Sequence, residues 1–232
     1  MRKIVLNIPH SSSKDLDYPT PWTGGDIAKA KKELVDWHTE KLFVPGDAQP
    51  WVDKVIFPYC RFDCDAERLW SDSMEKIGQG IVYEKYILSG DGTVLNRKVD
   101  DRLRSVAMIE YSRHKLRLMD AITPDCLLID CHSFPSYMAE DIDICIGYND
   151  DWSKPDEGTL KMIIKHFQNA GYRVGVNNPY SNSLAPDCGI QYHSVMIELN
   201  KRIYMDENTL EMTEDAIKIR SVLTNLYDII GS

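Results

Sequence analysis

The chain opens with an apolar run, Ile4-Val5-Leu6-Asn7-Ile8, that stops at Pro9-His10. A second run, Cys126-Leu127-Leu128-Ile129, leads into Asp130-Cys131-His132. Short continuous apolar runs of this kind read as strands buried on both faces, as parallel sheets require. The pattern predicts further strands at 51–57, 60–66, 80–88, 141–147, 172–176 and 192–199. The turn residues Ser89-Gly90-Asp91-Gly92 close the strand at 80–88. Helical spacing appears at 27–43 and 99–119, at Leu160, Ile163, Ile164 and Phe167 before Gly171, and at Ala216, Ile219, Leu223, Leu226 and Ile230. Strands alternating with helices predict an α/β fold: a mostly parallel, mixed sheet with helices on both faces. The pattern shows no internal repeat or linker, so residues 1–232 are expected to form a single domain.

Composition narrows the function. Apolar residues make up 43% of the 232, enough for a sizeable core. No apolar run approaches the roughly 18–20 residues of a membrane span. The first apolar stretch is too short for a signal peptide, and the expected location is cytoplasmic. A net charge of −9 without a long Lys/Arg cluster excludes a phosphate-backbone partner, so neither nucleic acid nor membrane is expected. The pattern specifies no oligomer. The six cysteines include no CxxC pair, which argues for reduced, structural thiols and against a four-cysteine zinc site.

The chemistry gathers at strand ends. Open α/β sheets bind ligands outside the carboxyl ends of their strands, and His10 and His132 each follow an apolar run. Two imidazoles presented there are the start of a zinc site, which needs about three protein ligands and an open position for hydrolysis. The third ligand should be a carboxylate, and the segment Arg61-Phe62-Asp63-Cys64-Asp65-Ala66-Glu67-Arg68 offers Asp65 and Glu67. Both could instead pair with Arg61 and Arg68 in an ion network. Glu198 is the lone carboxylate of the apolar strand 192–199, where burial suits an acid/base role. An arginine such as Arg68 would recognise a substrate carboxylate. Arg113 and His114 are expected to face the cleft. Asn178, Tyr180 and Asn182 lie on the long loop 177–189 and could line it. His166 is expected in solvent, His193 in a structural role, and His38 beside Asp36 on the first helix.

Five stretches in order carry a family resemblance. They are Pro9-His10-Ser11-Ser12, Asp65-Ala66-Glu67-Arg68, Asp130-Cys131-His132-Ser133, Asn178-Pro179-Tyr180-Ser181, and Met196-Ile197-Glu198-Leu199 with Arg202-Ile203-Tyr204-Met205-Asp206-Glu207. In these the chain resembles the N-formylglutamate amidohydrolase family, itself distantly similar to zinc carboxypeptidases and aspartoacylase-type deacylases. The resemblance implies a zinc-exopeptidase-like fold and one zinc per chain, with His10 and His132 as ligands. It implies that Glu198 activates water and that Arg68 holds a substrate carboxylate. The carboxypeptidase pattern puts a glutamate ligand where this chain has Ser13, and an Asn where it has Glu67. Glu67 is therefore favoured as third ligand, with Asp65 in the catalytic set behind it, orienting His10. The loop 180–183 lacks the glycine pair of the histidine-degradation enzymes of that family, which leaves the substrate open. The implied activity is hydrolysis of the N-acyl amide of a small anionic amino acid, such as N-formyl-L-glutamate. A zinc peptidase or deacylase for other N-acyl amino acids is the alternative, followed by a non-catalytic binding protein keeping the fold.

Overall fold

The computed structural model describes residues 1–70 and 72–231. Its strands are β1 (Ile4–Ile8), β2 (Val52–Ile56), β3 (Lys85–Ile87), β4 (Val94–Asn96), β5 (Leu127–Phe134), β6 (Ile144–Gly147), β7 (Val174–Val176) and β8 (His193–Asn200). Its helices are α1 (Ile27–Leu34), α2 (Thr39–Phe43), α3 (Asp101–Ala121), α4 (Glu157–Asn169) and α5 (Asp215–Gly231). The chain packs as two compact units, one of residues 1–8, 38–56 and 118–232, the other of residues 9–37 and 57–117.

The first unit holds a six-stranded sheet in the order β2-β1-β5-β8-β6-β7. Every pairing in it is parallel except β6 with β8. The sheet is thus mixed and mostly parallel. All eight residues of β5 are buried, as the continuous apolar run demands. On one face Leu118 and Ile122, at and after the end of α3, pack with Val5, Val55, Leu128 and Tyr192. α2 and α5 approach β1 from the other face, where Tyr227 of α5 lies near Cys131. The Tyr227 hydroxyl donates to the Phe43 carbonyl at 2.9 Å and ties α5 to the end of α2. His166, expected in solvent, is half-buried, and its Nε2 lies 2.8 Å from the Val222 carbonyl, which fastens α4 to α5. His193 has a structural partner in Arg2, whose Nη2 is 2.6 Å from its Nδ1. Among the described residues all six cysteines are free thiols, five of them buried.

The second unit departs from the hydrophobic pattern in three places. The helix expected over 27–43 is broken. Asp26 caps α1 by accepting from Ala28 N, and Val35 N closes the helix on Lys31 O. Asp36 N then donates to His10 O at 3.0 Å, so the helical ladder cannot continue. Segment 60–66 is a series of turns and not a strand, with Asp63 N and Cys64 N both donating to Cys60 O. Its alternation has another cause: Cys60 and Phe62 enter one apolar cluster, Cys64 and Ala66 a second. The strand expected over 80–88 shrinks to β3, which pairs antiparallel with β4, a partner the pattern did not single out.

Arg97 holds that turn segment in place. Its Nη1 pairs with Asp63, its Nη2 donates to the Phe62 carbonyl, and its Nε donates to the Tyr83 carbonyl at 2.6 Å. The guanidinium also lies 4.6 Å over the Trp22 ring. His114 on α3 is buried with its ring edge-on to Phe57 at 5.3 Å. Burial, with Lys115 and the His10 imidazole adding to it, pushes its pKa down to about 3.

Both buried groups bear on stability. Arg97→Ala leaves Asp63 buried without its counter-charge, with Leu16 N still donating to Oδ2, and should destabilise the protein by about 3–5 kcal/mol in urea unfolding; a loss below about 1 kcal/mol would contradict this anchoring role. The folded His114 stays neutral from about pH 3 upward, whereas the unfolded ring takes a proton near pH 6.5. Its contribution to stability is therefore complete above about pH 6.5 and falls by about 1.4 kcal/mol per pH unit below it. Subtracting the stability–pH curve of His114→Phe from that of the wild type should show that slope, and parallel curves would place the proton elsewhere.

Candidate active site

In the second unit the site is built around Asp65. The chain leaves β1 through Pro9 and presents His10, whose carbonyl is fixed by Asp36 N. The His10 Nε2 lies 2.8 Å from Asp65 Oδ1. Asp65 is fully buried, and its oxygens are filled. Oδ1 also accepts from Glu67 N at 3.1 Å. Oδ2 accepts from Tyr83 Oη at 2.9 Å, from Arg61 Nη2 at 3.0 Å and from Arg61 Nε at 3.3 Å. Burial opposes its charge, but Arg61, His10 and Arg68 outweigh it and hold the pKa well below the usual carboxylate range. Burial and Arg61 likewise oppose protonation of His10, yet Asp65 and Asp36 prevail and its pKa is raised. Burial pushes Tyr83 up to about 12, so its hydroxyl stays a donor to Asp65.

This arrangement separates the two carboxylates. Asp65 stands behind the imidazole and, through Nε2–H, leaves Nδ1 as the ring's outward donor atom. In front of Nδ1 stand Glu67 Oε2 and Asp36 Oδ2, each at 3.7 Å. The Glu67 side chain is partly open to solvent, whereas Asp36 is buried. Arg68 is turned toward the same network: Nε donates to Gln79 O at 3.0 Å and Nη2 to Tyr83 Oη at 3.2 Å. Its Nε and Nη2 are thus already engaged, and among the described residues Nη1 makes no hydrogen bond. His114 belongs to the core of this unit. Its neighbour Arg113 points outward, 61% exposed, and among the described residues pairs with Glu110.

In the first unit the sheet register aligns the remaining groups. His132 of β5 is the partner of Glu198 of β8, and Glu198 is the partner of Cys145 of β6. Aligned residues of neighbouring strands share a face, so His132, Glu198 and Cys145 form one row across it. Asp130 precedes His132 on the same face, and its Oδ1 lies 3.3 Å from His132 Nε2. Phe134 follows on that face and meets the Tyr180 ring at 5.9 Å. The loop 177–189 is pinned along its length. Asn177 N donates to Ile146 O, Cys145 Sγ to Tyr180 O, and Leu184 N to Asp130 Oδ2. Between those pins Asn178 and Asn182 are exposed, Asn182 in the left-handed region at φ 72°.

The residues foreseen from sequence therefore fall into two sets. His10, Asp65, Glu67 and Arg68 share one network; His132, Glu198 and Tyr180 share one sheet face. Arg113 joins neither set. Asp130 and Asp36 went unselected. Asp130 had a signal, being an acid in an apolar run two residues before a candidate ligand, the same feature that marked Glu198. Asp36 had none, because only tertiary packing buries it. The donor set suits a metal: His10 and His132 each have an aspartate at Nε2, the usual support of a ligating imidazole. Among the described residues no helix is long and apolar enough to cross a membrane.

Comparison with known proteins supplies the family. The structure is similar to the crystal structure of N-formylglutamate amidohydrolase from Ralstonia eutropha JMP134, with TM-score 0.81 and 18% identity over 99% of this chain and 92% of that one. It is also similar to a gene product of Agrobacterium tumefaciens, with TM-score 0.57 and 16% identity over 100% of this chain and 92% of that one. These likenesses concern the fold. A search of curated proteins found no match. The family model for N-formylglutamate amidohydrolase matches residues 2–205, from the start of β1 to beyond β8, and so takes in both histidines, Glu67 and Glu198. The chain belongs to the N-formylglutamate amidohydrolase family and is an amidohydrolase.

Proposed function

We propose that this chain is a zinc-dependent amidohydrolase, one domain over residues 1–232, that removes the N-acyl group from a carboxylate-bearing amino acid such as N-formyl-L-glutamate. One observation carries the reading: His10 is held at Nε2 by Asp65 while Nδ1 looks toward Glu67. His10, Glu67 and His132 would hold one zinc per chain. In support, His132 lies in β5, the hydrogen-bonded neighbour of β1, and His10 follows β1 by two residues. Two ligand atoms of one tetrahedral zinc sit about 3.4 Å apart, close to the 3.7 Å between His10 Nδ1 and Glu67 Oε2. Zinc, when bound, supplies a Lewis acid for the amide carbonyl and lowers the pKa of water.

The chain's own residues do the rest. Glu198, beside His132 in the row, accepts the proton of the attacking water and delivers it to the departing nitrogen. Asp65 keeps His10 in one tautomer. Arg68 offers Nη1 to the substrate carboxylate, and Asn178, Tyr180 and Asn182 line the substrate from the loop. His114 backs the site from the core; Arg113 is left without a part. A deacylase or peptidase for other N-acyl amino acids would use the same groups, and a binding protein need hold no metal.

A hydrolysis screen of the zinc-loaded protein against N-formyl, N-acetyl and N-succinyl amino acids decides among these. N-Formylglutamate should be turned over, and its diamide should lose most of kcat/KM; equal rates on acid and diamide would point to a broader amide hydrolase. His10→Ala or His132→Ala should remove most of the bound zinc by elemental analysis, and full occupancy in the double variant would remove the site. Glu198→Gln should keep zinc and lower the rate by roughly 10²–10⁴-fold. A variant within a factor of a few of the wild type would mean that another group moves the proton.

A further inference from the structure

Asp130 is fully buried and meets three different parts of the first unit. Its Oδ1 accepts from Asn7 Nδ2 of β1 at 2.8 Å and faces His132 Nε2 at 3.3 Å. Its Oδ2 accepts from Leu184 N, in the loop that carries Tyr180 and Asn182, at 2.9 Å. We propose that Asp130 is a positioning residue that fixes the His132 tautomer and the 177–189 loop together, through one carboxylate. The metal side of this inference rests on the reading of His132 as a ligand; the tautomer side does not.

The physical basis is acceptor polarity. Both Asp130 oxygens already accept, Oδ1 from Asn7 Nδ2 and Oδ2 from Leu184 N, so the group presents an acceptor to His132 and the ring nitrogen facing it must carry the proton. That makes His132 an Nε2–H tautomer and turns Nδ1 into its electron-pair donor. The loop shares the same group. A carboxylate that moved to release Leu184 N would also move from His132, so loop position and ring orientation change together. Asn7 completes the hub, since β1 and β5 pair Asn7 with Asp130 in register.

That register provides a clean test. The double variant Asn7→Asp/Asp130→Asn exchanges amide and carboxylate across the pair. The amide oxygen introduced at position 130 still accepts from Leu184 N, and the accompanying NH₂ donates to the carboxylate introduced at position 7. The same NH₂ then faces His132 Nε2, which must become an acceptor, leaving the proton on Nδ1. ¹⁵N NMR of the metal-free protein at about pH 8, where an ordinary imidazole is neutral, reads the tautomer directly. The wild type should show Nε2–H on His132 and the exchanged variant Nδ1–H, with a melting temperature near that of the wild type. Zinc affinity, measured by chelator competition, should fall by about 10–100-fold, the usual cost of losing such a partner. Asp130→Asn alone sets its NH₂ against either Asn7 Nδ2 or Leu184 N, two donors, and should lower the melting temperature that the exchanged variant restores. Retention of Nε2–H in a folded exchanged variant would overturn the inference, whereas an altered tautomer with unaltered zinc affinity would uphold Asp130 as the positioning residue and overturn the reading of His132 Nδ1 as a ligand. A tautomer exchange in a protein whose wild type binds no zinc would uphold Asp130 as the positioning residue and overturn instead the zinc reading of His132.

Discussion

A carboxylate withdrawn from water must be surrounded by donors, and Asp65 is where this fold meets that demand. The desolvation cost of such a charge runs to several kcal/mol. It is offset here by Arg61, Tyr83, the Glu67 amide and the His10 ring. Those donors come from the start of the chain, from the turns at 61–67 and from the approach to β3. Satisfying one anion therefore fixes the relative places of three segments. Arg68 supports the same arrangement from behind, through Tyr83 and Gln79. The positive charge around Asp65 is mostly spent on that carboxylate itself.

The sheet imposes a different constraint. In-register pairing of β5 with β8, and antiparallel pairing of β8 with β6, leaves no freedom in which residues stand side by side. A one-residue slip would send each side chain to the opposite face. His132 and Glu198 are neighbours because their strands are buried on both faces and cannot slide. The loop 177–189 inherits this rigidity through its pins to β5 and β6, which is why a segment rich in Asn, Ser and Pro can hold Tyr180 against Phe134.

Two of the three disagreements between pattern and structure share a cause. The helix expected over 27–43 ends early because Asp36 N is claimed by the His10 carbonyl, a long-range bond no local propensity encodes. Segment 60–66 alternates like a strand because it threads between two apolar clusters. Both departures lie next to His10 and Asp65. Regular structure gave way there to the hydrogen bonds that a buried acid and its imidazole require.

By itself the sequence determined the sheet strands, the alternation that makes the fold α/β, and the placing of His10, His132 and Glu198 at or near strand ends. These are local properties: an apolar run is buried wherever it goes, and a polar residue closing it is presented at its end. Five short stretches in order also sufficed to name the family. Tertiary structure alone decided the separate roles of Asp65 and Glu67, two residues apart in one turn, because a carboxylate's role follows from which donors surround it. It alone turned Arg68 inward, put His114 in the core, and made Asp130 the partner of His132 and Leu184. Each of those outcomes depends on groups distant in sequence, and hydrogen-bond satisfaction in the interior is settled only when all of them are in place.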